Sequence, residues 1–174
     1  YIPDNNFEQV LIDNGFDDVL DDYVYTRNIS GITCFSSPEQ RAMFINKGIS
    51  DITGIEDFTS LKFLSLYDNP ISTINVSELN HLEHINLGNS NISSVDLSSN
   101  SSLMVIYLGG MNNLNSVNVS GLSDLRVLDL SSSPNVSTVD ISSSSKLTSI
   151  AGLNNLSCVK VSQSQLDNQV NSGI

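Results

Sequence analysis

The sequence repeats itself. A leucine anchor recurs at Leu61, Leu82, Leu103, Leu125 and Leu147, at steps of 21, 21, 22 and 22 residues. A second anchor falls between these, at Ile71, Ile92, Leu114, Val136 and Leu156, at steps of 21, 22, 22 and 20. The most regular copy is LEHINLGNSNISSVDLSSNSS, from Leu82 to Ser102. Its two halves carry apolar triplets at the same offsets, Leu82-x-x-Ile85-x-Leu87 and Ile92-x-x-Val95-x-Leu97, each followed by a polar turn. Alternation over the last three places of each triplet reads as a short, half-buried strand. A unit this small cannot bury its apolar edge alone, so copies must stack and share one continuous core.

In such a stack Leu61, Leu64, Leu66, Ile71, Ile74 and Val76 point inward, and each coil sets the same positions on the next. Strand spacing of about 4.8 Å makes five coils roughly 25 Å long. The opening half supplies a parallel sheet on the concave face. The second half is expected to give short strands or turns on the other face. Composition agrees: 39% of residues are hydrophobic but only 6% aromatic, with no Trp, as suits rows of Leu, Ile and Val. The domain plan is an N-terminal cap at 1–48, about five coils at 49–161, and a C-terminal tail or truncated cap at 162–174. Ile49-x-x-Ile52 lies 22 residues before Ile71 and opens the array with an extra half-turn.

The first 48 residues lack the period. Asp4 is placed as the N-cap of a helix carrying Phe7, Val10 and Leu11, with Asn14-Gly15 as its stop. Phe16, Val19, Leu20 and Tyr23 repeat the helical spacing and predict another turn or two. Val24 to Cys34 reads as extended, with Ile29-x-x-Ile32-x-Cys34 at the repeat offsets. Ser37-Pro38-Glu39-Gln40 is a capping box opening a short helix through about Phe44 or Ile45. The segment should cover the exposed end of the first coil with Phe7, Phe16, Tyr23, Phe35 and Phe44. Asp13, Asp17, Asp18, Asp21 and Asp22 come as adjacent pairs rather than at alternate positions, which reads as a solvated face better than as a calcium loop.

At this point the sequence resembles a known family. ISDITGIEDFTSLKFLSLYDNPISTI is similar to the internalin-like leucine-rich repeats of bacterial surface proteins. LEHINLGNSNISSVDLSSNSS resembles the 21-residue variant LxxLxLxxNxLxxLDLxxNxx. IPDNNFEQVLIDNGFDDVLDDYV resembles the N-terminal cap of such proteins in secreted Bacteroidetes-type sequences, and LSCVKVSQSQLDNQ their terminal segment. The resemblance covers essentially the whole chain. It implies a leucine-rich repeat solenoid with a helical cap, a secreted or bacterial cell-surface location, and a role in recognition or adhesion. The turn asparagine of the family stands at Asn69 and Asn100. Ser90, Ser133 and Ser144 replace it elsewhere, as do Leu79 and Leu122. No leader precedes Tyr1 and no sorting tail follows, so the sequence is read as a mature or excised segment.

Several function classes are disfavoured. Net charge is −12, with 7 basic against 19 acidic residues, so the basic patch that nucleic acid requires is missing. No apolar run approaches the ~20 residues that span a bilayer. His81 and His84 are the only histidines, their i, i+3 spacing suits neither a strand nor a coil edge as a metal pair, and no third ligand is placed. There is no nucleophile elbow, P-loop or GxGxxG, and serines sit in turns where they bond locally. No enzyme activity, cofactor or metal is expected. Cys34 and Cys158 lie near opposite ends of the array, beyond the ~7 Å a disulfide can bridge. Asn-x-Ser occurs at Asn28, Asn75, Asn91, Asn118 and Asn135, and the repeat itself accounts for it.

Binding is where position carries information. On the concave sheet the outward residues form columns: Phe63, His84, Val105, Val127 and Ser149; then Ser65, Asn86, Tyr107, Asp129 and Ala151; then Tyr67, Gly88, Gly109 and Ser131. Core packing does not demand apolar residues there, so the aromatic and branched ones among them suggest a protein contact. The propensity of an exposed strand for the same residue types is the competing explanation. The candidate ligand-binding residues are Phe63, Ser65, Tyr67, His84, Asn86, Val105, Tyr107, Val127 and Asp129. On the opposite face Thr73, Ser94, Ser116 and Thr138 form one polar column, and Asn75, Asp96, Asn118, Asp140 and Lys160 another. The expectation is a monomeric, non-enzymatic recognition module with a protein ligand. A glycan-binding module and a structural spacer of a larger surface protein are the alternatives.

Overall fold

A computed structural model describes residues 1–33 and 42–165 of the chain. It is a leucine-rich repeat solenoid: a stack of coils, each opening with a three-residue strand. Strands β1 (Phe63–Ser65), β2 (His84–Asn86), β4 (Val105–Tyr107), β6 (Val127–Asp129) and β8 (Ser149–Ala151) form one five-stranded parallel sheet in the order β1-β2-β4-β6-β8. The register is the one the period dictates: Leu64 pairs with Ile85, Ile85 with Ile106, Ile106 with Leu128 and Leu128 with Ile150. The second half-repeats give β3 (Ser94–Asp96), β5 (Ser116–Asn118), β7 (Thr138–Asp140) and β9 (Cys158–Lys160). These pair as β3-β5 and β7-β9, so the second row is two short parallel pairs and not one sheet.

The interior is a column of aliphatic rows. Leu61, Leu64, Leu66 and Ile71 are wholly or almost wholly buried, as are their equivalents Leu82, Ile85, Leu87 and Ile92. Polar turn residues are buried with them. Asn69 donates to the carbonyls of Phe44 and Leu66 and accepts from the backbone N–H groups of Lys47 and Ile49. Asn100 donates to Val76 and Leu79 of the preceding coil. Ser133 accepts from Met111 N–H and donates to Leu108, whereas Ser90 and Ser144 are buried with hydroxyls that find no partner. Leu79, Leu122 and Met111 fill the same places with apolar bulk. The ladder is therefore discontinuous, and a chain of this kind tolerates either solution because each coil needs only its neighbours.

The cap follows the expected plan at its start and departs from it afterwards. Helix α1 (Asn5–Asp13) is capped by Asp4, whose carboxylate accepts from Asn6 and Phe7 N–H. Its other oxygen accepts from Ser50 N–H, Ser50 hydroxyl and Asp51 N–H, tying helix to first coil. Burial opposes ionisation of Asp4, but these bonds outweigh it and hold its carboxyl below the usual range. Phe7 meets Phe44 edge-on at 5.3 Å and stacks on Phe58 at 6.2 Å, and all three are buried. Phe58 was not anticipated from the sequence.

The helix expected over Phe16–Tyr23 does not form. Gly15 turns left-handed at φ 76°, and the chain then loops around the wholly buried Glu8, whose Oε1 accepts from Asp21 and Tyr23 N–H. Those two backbone donors are held by a side chain in place of a helical ladder. Val19, Leu20 and Tyr23 are consequently about half or more exposed (51%, 47% and 62%), so Tyr23 does not cover the core, while Phe16 is only partly buried. Val24 to Thr33 is not simply extended either: a one-turn helix, α2 (Thr26–Ile29), drives Ile29 into the core. The chain then joins the stack, but not at the expected offsets: Lys62 N–H donates to the Thr33 carbonyl just as Glu83 donates to Lys62 and Met104 to Glu83, which sets Ile32 level with Leu61 and not with Leu64. Residues 42–46 form turns that bury Met43 and Phe44; Phe35 and the capping box at Ser37–Gln40 lie outside the described residues.

Candidate functional site

The outward face of the five-stranded sheet carries the candidate residues, and the strand register sets them in rows. Phe63 pairs with His84, His84 with Val105, Val105 with Val127 and Val127 with Ser149. Phe63, His84, Val105 and Val127 are half-buried side by side, and the Phe63 and His84 rings lie 5.8 Å apart. The second row pairs Ser65 with Asn86, Asn86 with Tyr107 and Tyr107 with Asp129. One member drops out: Ser65 is 4% exposed and offers nothing to a ligand. Position within a repeat places a side chain outward but does not say what lies above it, which is why the spacing misplaced Ser65.

The third row gives the face its relief. Tyr67, two residues beyond β1, is 38% exposed, and Tyr107 of the second row, at the end of β4, is 42% exposed. Gly88, Gly109 and Gly110 line the cleft beside them. A Cβ on Gly88 would lie 3.0 Å from the Tyr67 ring, so that ring rests on bare backbone. The Tyr67 hydroxyl accepts from Asn89 Nδ2 at 2.9 Å, which holds the phenol across the neighbouring coil. Asn86 Oδ1 accepts from Gly88 N–H, and Asp129 Oδ1 accepts from Ser131 N–H, so both side chains are fixed by their own turns. A cleft of about 370 Å³ results, lined by Tyr67, Asn89, Tyr107, Gly109 and Asp129 among others. Sequence reasoning named the tyrosines and Asp129 but missed Asn89 and the glycine floor. Gly88 and Gly109 stood in an outward column and carried the only available signal.

The opposite row is a run of side-chain turns. Asn75, Asp96, Asn118 and Asp140 each accept from the backbone N–H two residues on, at Ser77, Ser98, Ser120 and Ser142. Three of those serines also donate their hydroxyl to the same oxygen. The Asn-Val-Ser motifs at Asn75 and Asn118 are thus turn chemistry repeated once per coil. Asp140 additionally accepts from Lys160 at 2.7 Å, and that partner together with Ser142 pulls its carboxyl down to about 2. Cys158 is exposed with a free thiol on β9.

In the cap, Glu8 Oε2 and Asp17 Oδ2 are buried without partners. Burial first, then the charges of Glu8, Asp18 and Asp21, push the Asp17 carboxyl up. Asp13, Asp18 and Asp21 are exposed, whereas Asp17 and Asp22 are half-buried, so the expected solvated face holds for three of the five acids. Among the described residues no three His, Cys, Asp or Glu side chains are grouped to hold a metal ion, and no helix is long and apolar enough to cross a membrane.

No protein-family model matches the sequence, and no curated protein matches it. Solved structures do. An internalin, inlF, from Listeria monocytogenes is 16% identical with a TM-score of 0.56, over 92% of this chain and 63% of that one. The functional domain of InlJ from Listeria monocytogenes, described as including a cysteine ladder, is 23% identical with a TM-score of 0.55. That match covers 61% of this chain and 23% of that one. The chain thus spans less than two thirds of either relative. At this identity the likeness is one of fold: the internalin-like leucine-rich repeat solenoid that the resemblance implied.

Proposed function

We propose that this chain is a non-enzymatic recognition module of a secreted or cell-surface protein, and that it binds a protein partner through the five-stranded face. The observation that carries this reading is the row Phe63, His84, Val105 and Val127, continuous across four strands in register and lying outside a core that is already full. Apolar side chains so aligned present a ready contact area, and the polar turns of the opposite row give a partner no comparable surface. A photo-crosslinking residue placed at Val105 tests it against extracellular protein extracts. Phe63→Ser with Val127→Ser should cut the yield of the specific crosslink at least ~10-fold, the loss expected when an interface core is made polar. The control pair Ser94→Ala with Ser116→Ala on the opposite row should leave it unchanged. Equal loss in both pairs, or no loss in the first, overturns the reading.

A further inference from the structure

The cleft beside the apolar row differs from it in chemistry. Its lining holds one charged residue, Asp129, two tyrosines, two asparagines and no Lys, Arg or His. Asp129 spends one oxygen on Ser131 N–H. The other, Oδ2, lies 3.7 Å from where a Cβ on Gly109 would stand, so it faces the glycine floor. Among the described residues no lysine or arginine pairs with Asp129; the ion pairs join Lys62 to Glu83, Lys146 to Asp124 and Lys160 to Asp140. Asn89 places its amide oxygen over Gly110, a second acceptor on the same floor, while its Nδ2 is taken up by the Tyr67 hydroxyl. Acceptors and aromatic surface therefore line one open cleft.

We infer that this cleft receives an arginine side chain of the protein partner, its guanidinium between Tyr67 and Tyr107 and hydrogen-bonded to Asp129 Oδ2 and the Asn89 amide oxygen. The inference rests on the protein-recognition reading above and adds the chemistry of the partner. Guanidinium is the group that fits: planar, permanently charged, rich in donors and able to lie against aromatic rings. A neutral ligand would leave the Asp129 carboxylate desolvated without compensation. An anion would be repelled by it and by a protein of net charge −12. The whole-molecule charge acts in the same direction, drawing basic surfaces toward this one.

The test is a titration of the ¹⁵N-labelled full chain with N-acetyl-arginine amide, followed at the amides of Gly88, Gly109 and Gly110. The arginine compound should give saturable shifts at those amides. The citrulline analogue, equal in shape but uncharged, should bind at least ~10-fold more weakly, as loss of a charge-assisted bond implies. Asp129→Asn keeps the acceptor for Ser131 N–H, hence the turn, and should weaken arginine binding by a similar factor. Gly109→Ala sets a methyl group on the floor, 3.7 Å from Asp129 Oδ2, and should do the same by occupying the space the guanidinium needs, with far-UV circular dichroism unchanged in both variants. Citrulline binding as well as arginine, no effect of Asp129→Asn, or saturable binding of a methyl glycoside with none of arginine would each overturn the inference. Failure here alongside a crosslink at Val105 that depends on Phe63 and Val127 removes only the arginine site; loss of the crosslink result removes the recognition reading itself.

Discussion

At the scale of single residues, two asparagines at equivalent turns do unequal work. Asn69 makes five bonds in a buried setting, three as donor and two as acceptor. Asn100 makes its two bonds as a donor, and its Oδ1 finds no partner. Asn69→Ala leaves two backbone N–H groups and two carbonyls unmet and should cost about 3–5 kcal/mol; Asn100→Ala should cost about 2. Urea denaturation of the two variants checks the order, and equal costs would contradict this account. Asp140 supplies a second residue-scale prediction. Its carboxyl sits at about 2 because Lys160 and Ser142 favour the ionised form. Being depressed, it contributes stability above the ordinary carboxylate pKa, and that contribution fades as pH falls from about 4 toward 2. Lys160→Met should raise the Asp140 pKa toward the ordinary value, measurable by carboxyl NMR titration. The effect on stability at neutral pH should be slight, because the pair is exposed.

At the scale of elements, the cap is joined to the array through Asp4. Asp4 satisfies the open N-terminus of α1 with one oxygen and the Ser50–Asp51 backbone of the first coil with the other. Asp4→Ala should therefore cost more than an ordinary helix cap, about 3 kcal/mol against the usual ~1, because it frees donors on two elements. Since the Asp4 carboxyl is held low, its contribution is present at neutral pH and is lost as pH falls below the usual carboxylate range. Melting temperature measured at pH 7 and pH 3 should show the Asp4→Ala penalty shrinking at the lower pH. The same elements show where local patterns mislead. Phe16 to Tyr23 has helical spacing, yet Glu8 captures the backbone donors of Asp21 and Tyr23, and a buried carboxylate outweighs propensity there. At the far end Gln165 donates to Ile141 and Ser144 carbonyls, at the same separations of 24 and 21 residues that Asn100 keeps to Val76 and Leu79. A longer side chain there takes the ladder position of the next coil.

At the scale of the whole molecule, the two rows of strands differ in continuity. The first row is one sheet of five strands, and the second is broken into two pairs. Opening a coil from the first row disrupts bonds on both sides, so its interior amides should be the better protected. The amides of Leu87 and Leu108, bonded to Tyr107 and Asp129, should exchange at least ~10-fold more slowly than those of Leu97 and Ile141, bonded to Asn118 and Lys160 in the paired strands. Hydrogen exchange by NMR reads this directly, and equal protection would mean that the two rows open together.

How far the sequence reaches follows from what repeats. The 21- to 22-residue period determined the solenoid, the strand register, the aliphatic core and the column each outward residue occupies, because stacked coils place equivalent positions on one another. Phe63, His84, Val105 and Val127 were legible for that reason. What the period could not determine was anything made between unlike positions. The burial of Ser65, the Tyr67 ring lying on Gly88, the free oxygen of Asp129 above the glycine floor and the loop wrapped on Glu8 all depend on pairs of residues that occur once. Only the tertiary structure decided these, since each rests on a distance between side chains that no periodicity encodes.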